Sequence, residues 1–503
     1  MAAIRRESGR VGGHEIARRH PIILSATVML AVGCILAILP AAGWARSGGA
    51  KPSFVIVYCD DLGYGDLGCT GSRAIATPNI DRLAQEGVQL TEYYACSAVC
   101  APSRAGLLTG RYPFRSGIIG NVYPKDEPWR RKILRQYVGG ALKSLGVVDL
   151  REGKVVPGIP RNEILLGEAL KSAGYRTGMV GKWHLGDFSL DPAFNPLRNG
   201  FDDYFGVPHS NDMLPCPLFR NEKMLEADIG RNQARLTGLY TAEAIRFLKE
   251  TEGTPFLLYF AHTFPHQPLY ASKDFAGKSK AGKFGDAVEE IDWSVGRIMD
   301  TLQEMGVAEN TLIFFTSDNG PWFEGSAGPY RGRKGQSYEG GFHVPMIVRW
   351  PGKIPSGSQC PALLMNIDIY PTILSLAGVE LPSDRIIDGR DMTDQLTGQS
   401  DESPHEALFF HHYDLLEGVR AGRWKYFSKL NRYVWPIPLD AADIPDRLGG
   451  DQLGNRWPLL YDLATDPGEC YNVIDRHPDV VRRLEELMRR WETETRKNPG
   501  GWL

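Results

Sequence analysis

A cysteine followed by a turn signal and an arginine is the arrangement in this chain best suited to chemistry on an anion. Residues 100–111 read Cys-Ala-Pro-Ser-Arg-Ala-Gly-Leu-Leu-Thr-Gly-Arg. Pro102-Ser103 is a turn signal, and the leucines beyond it begin an apolar helical pattern. Exposed N–H groups at a helix N-terminus and the fixed charge of Arg104 would surround Cys100 with positive potential. The alternative is a buried core cysteine that precedes a helix.

Paired oxygen donors follow two apolar runs that are predicted to be buried strands. Asp60-Asp61 comes after residues 53–58, and Asp318-Asn319 comes after residues 311–316. Both pairs run on into a glycine, although an isolated Asp pair is also common in caps and turns. The chain has no Cys-x-x-Cys pair, so a zinc site built on thiolates is not expected. Four hard oxygen ligands without a thiolate suit Ca²⁺ or Mg²⁺.

Basic side chains follow two further strands. Residues 181–186 read Gly-Lys-Trp-His-Leu-Gly, and an extended conformation would place Lys182 and His184 on the same side. His262 follows the predicted strand 255–261. An exposed lysine and a structural histidine are the alternative for such a hexapeptide. Because ligands gather at the carboxyl ends of strands in open α/β sheets, we expect all of these polar residues to converge on one cleft.

The elements that must position these residues alternate between helix and strand, which indicates an α/β fold with a large mixed, mostly parallel sheet sandwiched by helices. Helices are expected at about 163–173, 238–251 and 286–305. After about residue 400 we expect strands at 407–412, 418–427 and 459–463 and an amphipathic helix at 478–496. This change predicts a catalytic domain over residues 46–400 and a smaller C-terminal α+β domain with an antiparallel sheet over residues 401–503.

The N-terminus differs from the rest of the 503-residue chain. A basic segment precedes the apolar run 21–43, and small residues and a polar linker follow it. Residues 1–45 therefore predict a signal peptide or an uncleaved membrane anchor, and in either case export to a periplasmic, extracellular or lumenal compartment. The six cysteines left when Cys34 and Cys100 are set aside are compatible with disulfides. A net charge of −3 suggests neither a nucleic acid nor an anionic membrane as a bulk partner.

The dodecapeptide at 100–111 resembles the signature C-x-P-S-R-x-x-L-L-T-G-R of the type I sulfatases, formylglycine-dependent arylsulfatases of the alkaline phosphatase superfamily. The resemblance extends over about 51–475 and is closest to the arylsulfatase A, galactosamine-6-sulfatase and steroid sulfatase group. It implies hydrolysis of an aryl or carbohydrate sulfate monoester. It also implies that a formylglycine-generating enzyme converts Cys100 to formylglycine, whose hydrate attacks the sulfur.

The resemblance also implies a role for each candidate residue. One divalent cation, usually calcium, would be bound by Asp60, Asp61, Asp318 and Asn319 together with the formylglycine oxygen at position 100. Lys182 would hold a sulfate oxygen, Lys334 matches the family lysine in Gly-Lys-x-x-x-x-Glu-Gly-Gly, and Arg104 would pair with a carboxylate of the metal site. His262 would protonate the leaving oxygen together with Lys334, and His184 would be the base that opens the sulfated intermediate.

Two other functions are compatible with the same residues. A formylglycine-dependent phosphonate or phosphodiester hydrolase is one alternative, although the predicted signal peptide is atypical of it. A binding protein that retains the fold without catalysis is the other, and the presence of all the motif residues disfavours it. The sequence leaves the identity of the leaving group open. The loop residues that could frame it are Ser210, Asn211, Asp212, His266, Trp322, Tyr330, Arg331, His411 and His412.

Overall fold

A ten-stranded mixed sheet forms the centre of the computed structural model, which describes residues 50–124, 157–188, 191–430 and 456–503. The predicted signal segment, residues 1–45, lies outside the described residues. The strand order is β11-β2-β10-β9-β1-β8-β4-β5-β6-β7. The ten strands are β1 Ser53–Cys59, β2 Val88–Leu90, β4 Arg176–Lys182, β5 Asp203–Val207, β6 Leu218–Arg220, β7 Lys223–Glu226, β8 Phe256–Ala261, β9 Thr311–Ser317, β10 Met346–Arg349 and β11 Ser358–Cys360.

The middle of this sheet is parallel and buried on both faces. β9, β1, β8, β4 and β5 run in the same direction, and β10, β6 and β7 are antiparallel to their neighbours. Every residue of β1 is buried, and its side chains alternate between two core clusters. Phe54, Ile56 and Tyr58 pack into one cluster, whereas Val55 and Val57 pack into the other. A continuous apolar run is what a parallel strand covered on both faces requires.

Helices cover both faces of the sheet, as the alternating pattern predicts. The long helix Gly282–Glu304 buries Ile291, Val295, Ile298 and Leu302, whose spacing of three and four residues marks one helical face. The described helices, in chain order, are α1 Pro78–Gln85, α2 Cys100–Thr109, α3 Pro113–Ser116, α4 Leu166–Ser172, α5 Leu236–Lys249, α6 Gly282–Glu304, α7 Glu339–Phe342, α8 Ile369–Ala377, α9 Thr393–Leu396 and α10 Pro478–Lys497.

A second, four-stranded antiparallel sheet follows residue 400, with α10 packed on it. Its strands are β13 Leu408–His412, β14 Leu415–Ala421, β15 Trp424–Phe427 and β16 Leu459–Asp462. Its core includes Leu484 and Met488 of α10, and it is continuous with Tyr94 and Met365 of the small sheet of β3 Tyr93–Tyr94 and β12 Leu364–Met365. Ala50–Leu503 form one compact unit, and the domain boundary at residue 400 stays a prediction.

One strand prediction in this region is wrong. Residues 418–427 were expected to form a single strand, but the chain reverses at Gly422 and Arg423, so that β14 and β15 pair with each other. Gly422 has φ 56°, a left-handed conformation that glycine adopts without steric cost. The apolar positions that share one core change phase at this turn, from Val419 and Ala421 to Trp424 and Tyr426, which a single strand would not allow.

Two further features bear on the sequence predictions. All seven cysteines in the described part of the chain are free thiols. Over the same residues, no helix is both long enough and apolar enough to cross a membrane.

Candidate active site

The carboxyl ends of four neighbouring parallel strands bring the predicted polar residues together. Cys59 is in register with Ser317, so the acidic pairs that follow β1 and β9 lie side by side. The backbone N–H of Asp61 donates to Oδ1 of Asp318 at 3.2 Å. Lys182, the last residue of β4, forms a buried ion pair with Asp60. The convergence predicted from the strand ends is therefore present for these residues.

Cys100 is the first residue of α2 and lies between an acid and a base. Its thiol donates to Oδ1 of Asp60 at 3.2 Å, and Nζ of Lys334 donates to its Sγ at 3.2 Å. Burial and the negative charge of Asp60 raise the pKa of the Cys100 thiol well above its usual value, although both nearby lysines act in the opposite direction. The side chain is therefore a neutral thiol rather than the thiolate that a nucleophilic cysteine requires.

Arg104 connects α2 to the ends of two strands. It is fully buried, and its Nε and Nη2 donate to Oδ2 of Asp318 at 3.0 and 2.8 Å. Its Nη1 donates to the backbone carbonyl of Lys182 at 2.9 Å. The arginine thus pairs with a carboxylate of the predicted metal site, as the resemblance implies, and it fixes the first turn of α2 against that site.

Carboxylates and cations alternate through the centre of the site. Nζ of Lys334 lies 2.7 Å from Oδ1 of Asp61. Burial alone would raise the pKa of Asp60, but Lys182 and the other nearby cations outweigh it and hold that pKa well below its usual value. Burial raises the pKa of Asp318, and repulsion from Asp60 adds to the effect, although Arg104 lies against it. Each of the three carboxylates thus has a buried cation beside it, namely Lys182 at Asp60, Lys334 at Asp61 and Arg104 at Asp318.

The donor set fits a hard divalent cation. Asp60, Asp61, Cys100 and His266 place one ligand atom each within 4.8 Å of one another. Asn319 donates from Nδ2 to Asp61 at 2.7 Å, while its Oδ1 is buried without a hydrogen-bond partner among the described residues. A buried acceptor without a donor is costly unless something binds it. The Oδ1 atom of Asn319 could coordinate a cation bound here. The positive charge of that cation would also relieve the repulsion between the carboxylates.

His184 has one ring nitrogen engaged and one free. Its Nε2 donates to the carbonyl of Val122 at 3.1 Å, and its buried Nδ1 has no partner in the described part of the chain. Burial, reinforced by the charge of Lys182, lowers the pKa of His184 well below its usual value. The ring is therefore neutral with an available lone pair, as a base must be.

The backbone is strained at two residues of the site. Asp61 and His184 both have positive φ angles, 67° and 59°, a strain that often marks functional positions.

The ring of His262 packs against an aromatic side chain of the core. Its ring is 4.3 Å from that of Phe260, two residues earlier in β8, and side chains two apart share one face of a strand. Phe260 packs in the core cluster opposite the one that holds α2. Both ring nitrogens lack hydrogen-bond partners among the described residues, and burial lowers the pKa of His262 to about 3. The structure thus does not bring His262 into contact with the other candidates.

A second histidine, His266, lies beside the acidic pair that follows β1. Nε2 of His266 lies 3.7 Å from Oδ2 of Asp61, and its Nδ1 lies 3.1 Å from Oδ1 of Asn211. Its side chain is 12% exposed, so a substrate can reach it. From the sequence, His266 and Asn211 are candidates only as loop residues that could frame the leaving group. The sequence signal for His266 is its position, because it follows the end of β8 after a turn that contains Pro265. His262 instead continues the alternation of β8, which places its side chain on the face opposite α2.

Of two other loop candidates, one lies in the site and the other does not. Oγ of Ser210 lies 3.2 Å from Nζ of Lys182, so this residue belongs to the site. His411 lies within β13, where Nε1 of Trp491 donates to its Nε2 at 3.3 Å and its ring contacts Tyr112 and Phe114. Its role is packing.

The fold and this charged centre define an α/β protein of the alkaline-phosphatase-like class. The sulfatase family model matches residues 52–379. Models described as the C-terminal region of aryl-sulfatase and as N-sulphoglucosamine sulphohydrolase, C-terminal, match residues 403–500 and 332–434. The chain belongs to the sulfatase family and is a sulfuric ester hydrolase.

Similar curated proteins act on different esters, to judge from their names. N-acetylgalactosamine-6-sulfatase of Mus musculus is 36% identical over 488 residues, which cover 90% of this chain and 89% of the relative. Steryl-sulfatase of Homo sapiens is 34% identical over 512 residues, which cover 84% of each. The sequence relationship therefore supports hydrolysis of a sulfate ester without identifying its alcohol.

Solved structures give the same family. A protein of the Bacteroides thetaiotaomicron locus for metabolism of multiple glycosaminoglycans superposes with a TM-score of 0.73 at 30% identity, covering 88% of this chain and 100% of its own. A sulfatase from Pseudoalteromonas gives 0.74 at 27%, covering 90% and 92%. Phosphonate monoester hydrolase of Agrobacterium radiobacter gives 0.55 at 20%, covering 89% and 96%, a likeness of fold alone.

Proposed function

We propose that this enzyme hydrolyses a carbohydrate sulfate monoester at residue 100, after conversion of Cys100 to formylglycine. The observation that carries the proposal is the position of Cys100, buried as a neutral thiol between Asp60 and Lys334 at the N-terminus of α2. A thiol in that state is a poor nucleophile, whereas the cations around it suit a sulfate. As formylglycine, residue 100 would supply an aldehyde hydrate whose oxygen can attack sulfur.

Three buried cations distribute positive charge around the reacting group. Lys182 and Lys334 contact the carboxylates of Asp60 and Asp61, and Arg104 contacts Asp318. The transition state of sulfate transfer spreads negative charge over several oxygens, so several fixed cations stabilise it better than one. Ion pairs hold all three cations within the site before a substrate arrives.

We further propose that a calcium ion binds at Asp60, Asp61, Asp318 and Asn319. The support is the all-oxygen donor set, the unpartnered Oδ1 of Asn319 and the raised pKa of Asp318. When bound, such a cation would neutralise a sulfate oxygen and favour deprotonation at residue 100.

His184 and His266 suit the two proton transfers. The neutral ring of His184, with its free Nδ1, can accept the proton whose removal releases sulfate from residue 100. His266 lies beside Asp61 and is accessible, so it is placed to donate a proton to the leaving oxygen. It fits this role better than His262, which has no polar contact with the site.

The substrate class is proposed from the relatives. N-acetylgalactosamine-6-sulfatases of several mammals match this chain at 36–37% identity, and a glycosaminoglycan-metabolising protein matches at 30%. A 6-sulfated N-acetylhexosamine is therefore the substrate to test first. Export of the enzyme is proposed as well, and it rests on the sequence of residues 1–45 alone.

The proposed function is tested by measuring inorganic sulfate released from N-acetylgalactosamine 6-sulfate, a steroid sulfate and 4-nitrophenyl sulfate, with a phenyl phosphonate ester as control. The enzyme is produced with a formylglycine-generating enzyme, and the mass of the peptide containing residue 100 is recorded. We expect an aldehyde at residue 100 and the highest kcat/KM for the sugar sulfate. Turnover by protein that carries only the thiol, or preference for the phosphonate, would contradict the proposal.

Replacing the two histidines in turn distinguishes the proposed acid. His266→Ala should lower kcat by about 10²- to 10⁴-fold, the usual contribution of a general acid. His262→Leu should remain within about threefold of the parent, because it removes two buried polar atoms that have no partner among the described residues. The check is kcat for an alkyl sulfate, whose leaving group needs a proton. If His262→Leu lost activity and His266→Ala did not, the assignment would be reversed.

A further inference from the structure

Beside the candidate active site, a loop presents two aromatic side chains and an arginine. Phe323 is 46% exposed, and its ring meets that of Trp322 edge to face with centroids 4.8 Å apart. The guanidinium carbon of Arg333 lies 4.3 Å from the centroid of Phe323. A single exposed apolar side chain needs no explanation, but an aromatic pair with a cation stacked on it is a specific arrangement.

This group borders the residues proposed to handle the sulfate. Arg333 directly precedes Lys334, whose backbone N–H donates to the carbonyl of Pro321 at 3.0 Å. On the other side, Gln267, the neighbour of His266, donates from its side chain to Glu324. The aromatic loop, residues 321–326, thus extends from the lysine that contacts residue 100 to the histidine proposed to protonate the leaving group. A leaving group that is protonated by His266, as proposed above, would lie next to this loop.

The aromatic loop is held firmly by the rest of the protein. The N–H of Ser326 donates to Oδ1 of Asp66 at 2.8 Å, and its carbonyl accepts from Gly65 at 2.8 Å. Asp66 also accepts from the N–H of Gly63 at 2.8 Å, which ties the loop to the segment that carries Asp60 and Asp61. An exposed aromatic surface on a fixed loop loses little conformational entropy when a ligand binds.

Arg333 keeps a charge available for a ligand. In the described part of the chain its guanidinium stacks on Phe323 and forms no ion pair, although the charge of Glu324 acts on it. A guanidinium whose N–H groups are free can bind a carboxylate or sulfate through two parallel hydrogen bonds. The overall charge of −3 repels polyanions, so an anionic chain would have to be captured by a local cation of this kind.

We propose that Trp322, Phe323 and Arg333 form a subsite for a second sugar unit, one that carries a carboxylate or sulfate and is linked to the sugar whose ester is cleaved. The C–H face of a pyranose packs on the aromatic pair, and the anionic group pairs with Arg333. The substrate is then an acidic sulfated oligosaccharide rather than an isolated sulfated sugar or a steroid. This inference rests on the proposed function, because it places the leaving sugar at the same site.

Binding can be measured without turnover. Titration calorimetry on the Cys100→Ala protein, which leaves the ester intact, gives Kd for three ligands: N-acetylgalactosamine 6-sulfate, its disaccharide with a uronic acid and its disaccharide with a neutral hexose. We expect the acidic disaccharide to bind about tenfold more tightly than the monosaccharide, the sum of one stacking contact and one partly exposed ion pair. The Phe323→Ala change should weaken both disaccharides by about fivefold.

Arg333→Gln separates charge from stacking. It should weaken the acidic disaccharide by about fivefold, remove most of the salt dependence of that Kd and leave the neutral disaccharide within about twofold. Trp293→Ala, which removes another partly exposed aromatic on α6, is the matched control and should change none of the three values. Equal Kd values for all three ligands, or no effect of Phe323→Ala, would overturn the subsite. Sulfate release from 4-nitrophenyl sulfate by the parent enzyme then shows whether the proposed function survives.

Discussion

The Cys100→Ala protein should release sulfate about 10⁴-fold more slowly than the parent enzyme, or not measurably, because no other side chain supplies the attacking oxygen. Arg104, Lys182 and Lys334 remain in place in this variant, so binding of the sulfate should persist while turnover is lost. The measurement is kcat for inorganic sulfate release, with the circular dichroism spectrum and Tm recorded on the same preparations.

Cys59→Ala is the matched control for this change. Cys59 is also a free, fully buried thiol, it precedes Asp60 directly, and burial raises its pKa as well. Truncating it removes the same atom from the same neighbourhood, without touching the group between Asp60 and Lys334. The control should retain turnover within about threefold, as expected for a small core truncation away from the chemistry. Residual activity above a tenth of the parent in Cys100→Ala, or an equal loss in Cys59→Ala, would contradict the assignment of residue 100.

The sequence was sufficient to predict the centre of the site because that centre follows from strand ends. Parallel strands that are buried on both faces have a strong apolar signal, and polar residues directly after them must meet at one edge of the sheet. Asp60, Asp318 and Lys182 obey this rule. Cys100 and Arg104 come from a helix, and a motif rather than periodicity located them. The register of β1 and β9, which pairs Cys59 with Ser317, could not be predicted from the sequence.

Two features of the structure depend on where the chain turns at the end of a strand. His262 continues the alternation of β8 and is therefore carried into the core opposite α2. His266 reaches the site beyond a turn that contains Pro265. At Gly422 and Arg423 the turn shifts the apolar positions by one residue, from Val419 and Ala421 to Trp424 and Tyr426, and this phase change is the mark of the break. Contacts between distant segments, such as that of Glu339 with Lys425, leave no local signal at all.

A buried ion cluster of this long-range kind joins the C-terminal sheet to the active-site loop, and removing its cation should be strongly destabilising. Nζ of Lys425, on β15, lies 2.8 Å from Oε1 of Glu339 and 3.2 Å from Oε1 of Glu469, and all three side chains are buried. Oε2 of Glu469 also accepts the backbone N–H of Glu339, the first residue of α7. Lys425→Met would leave two carboxylates without their shared cation and should lower the free energy of unfolding by about 3–5 kcal/mol. Urea unfolding followed by tryptophan fluorescence measures this change.

The pH dependence identifies the charges as the cause. Burial, with repulsion from Glu339, raises the pKa of Glu469 to about 7 even beside Lys425. A carboxyl whose folded pKa lies above its unfolded value stabilises the fold at low pH and loses that contribution as pH rises through the folded value. Without Lys425 the pKa of Glu469 should rise further, and that of Glu339, which Lys425 lowers, should rise as well. The deficit of Lys425→Met should therefore be smaller at pH 5 than at pH 8. Lys429→Met, which removes an exposed lysine two residues beyond β15, should change stability by less than about 0.5 kcal/mol at either pH. A deficit independent of pH would mean that lost packing, not uncompensated charge, destabilises the variant.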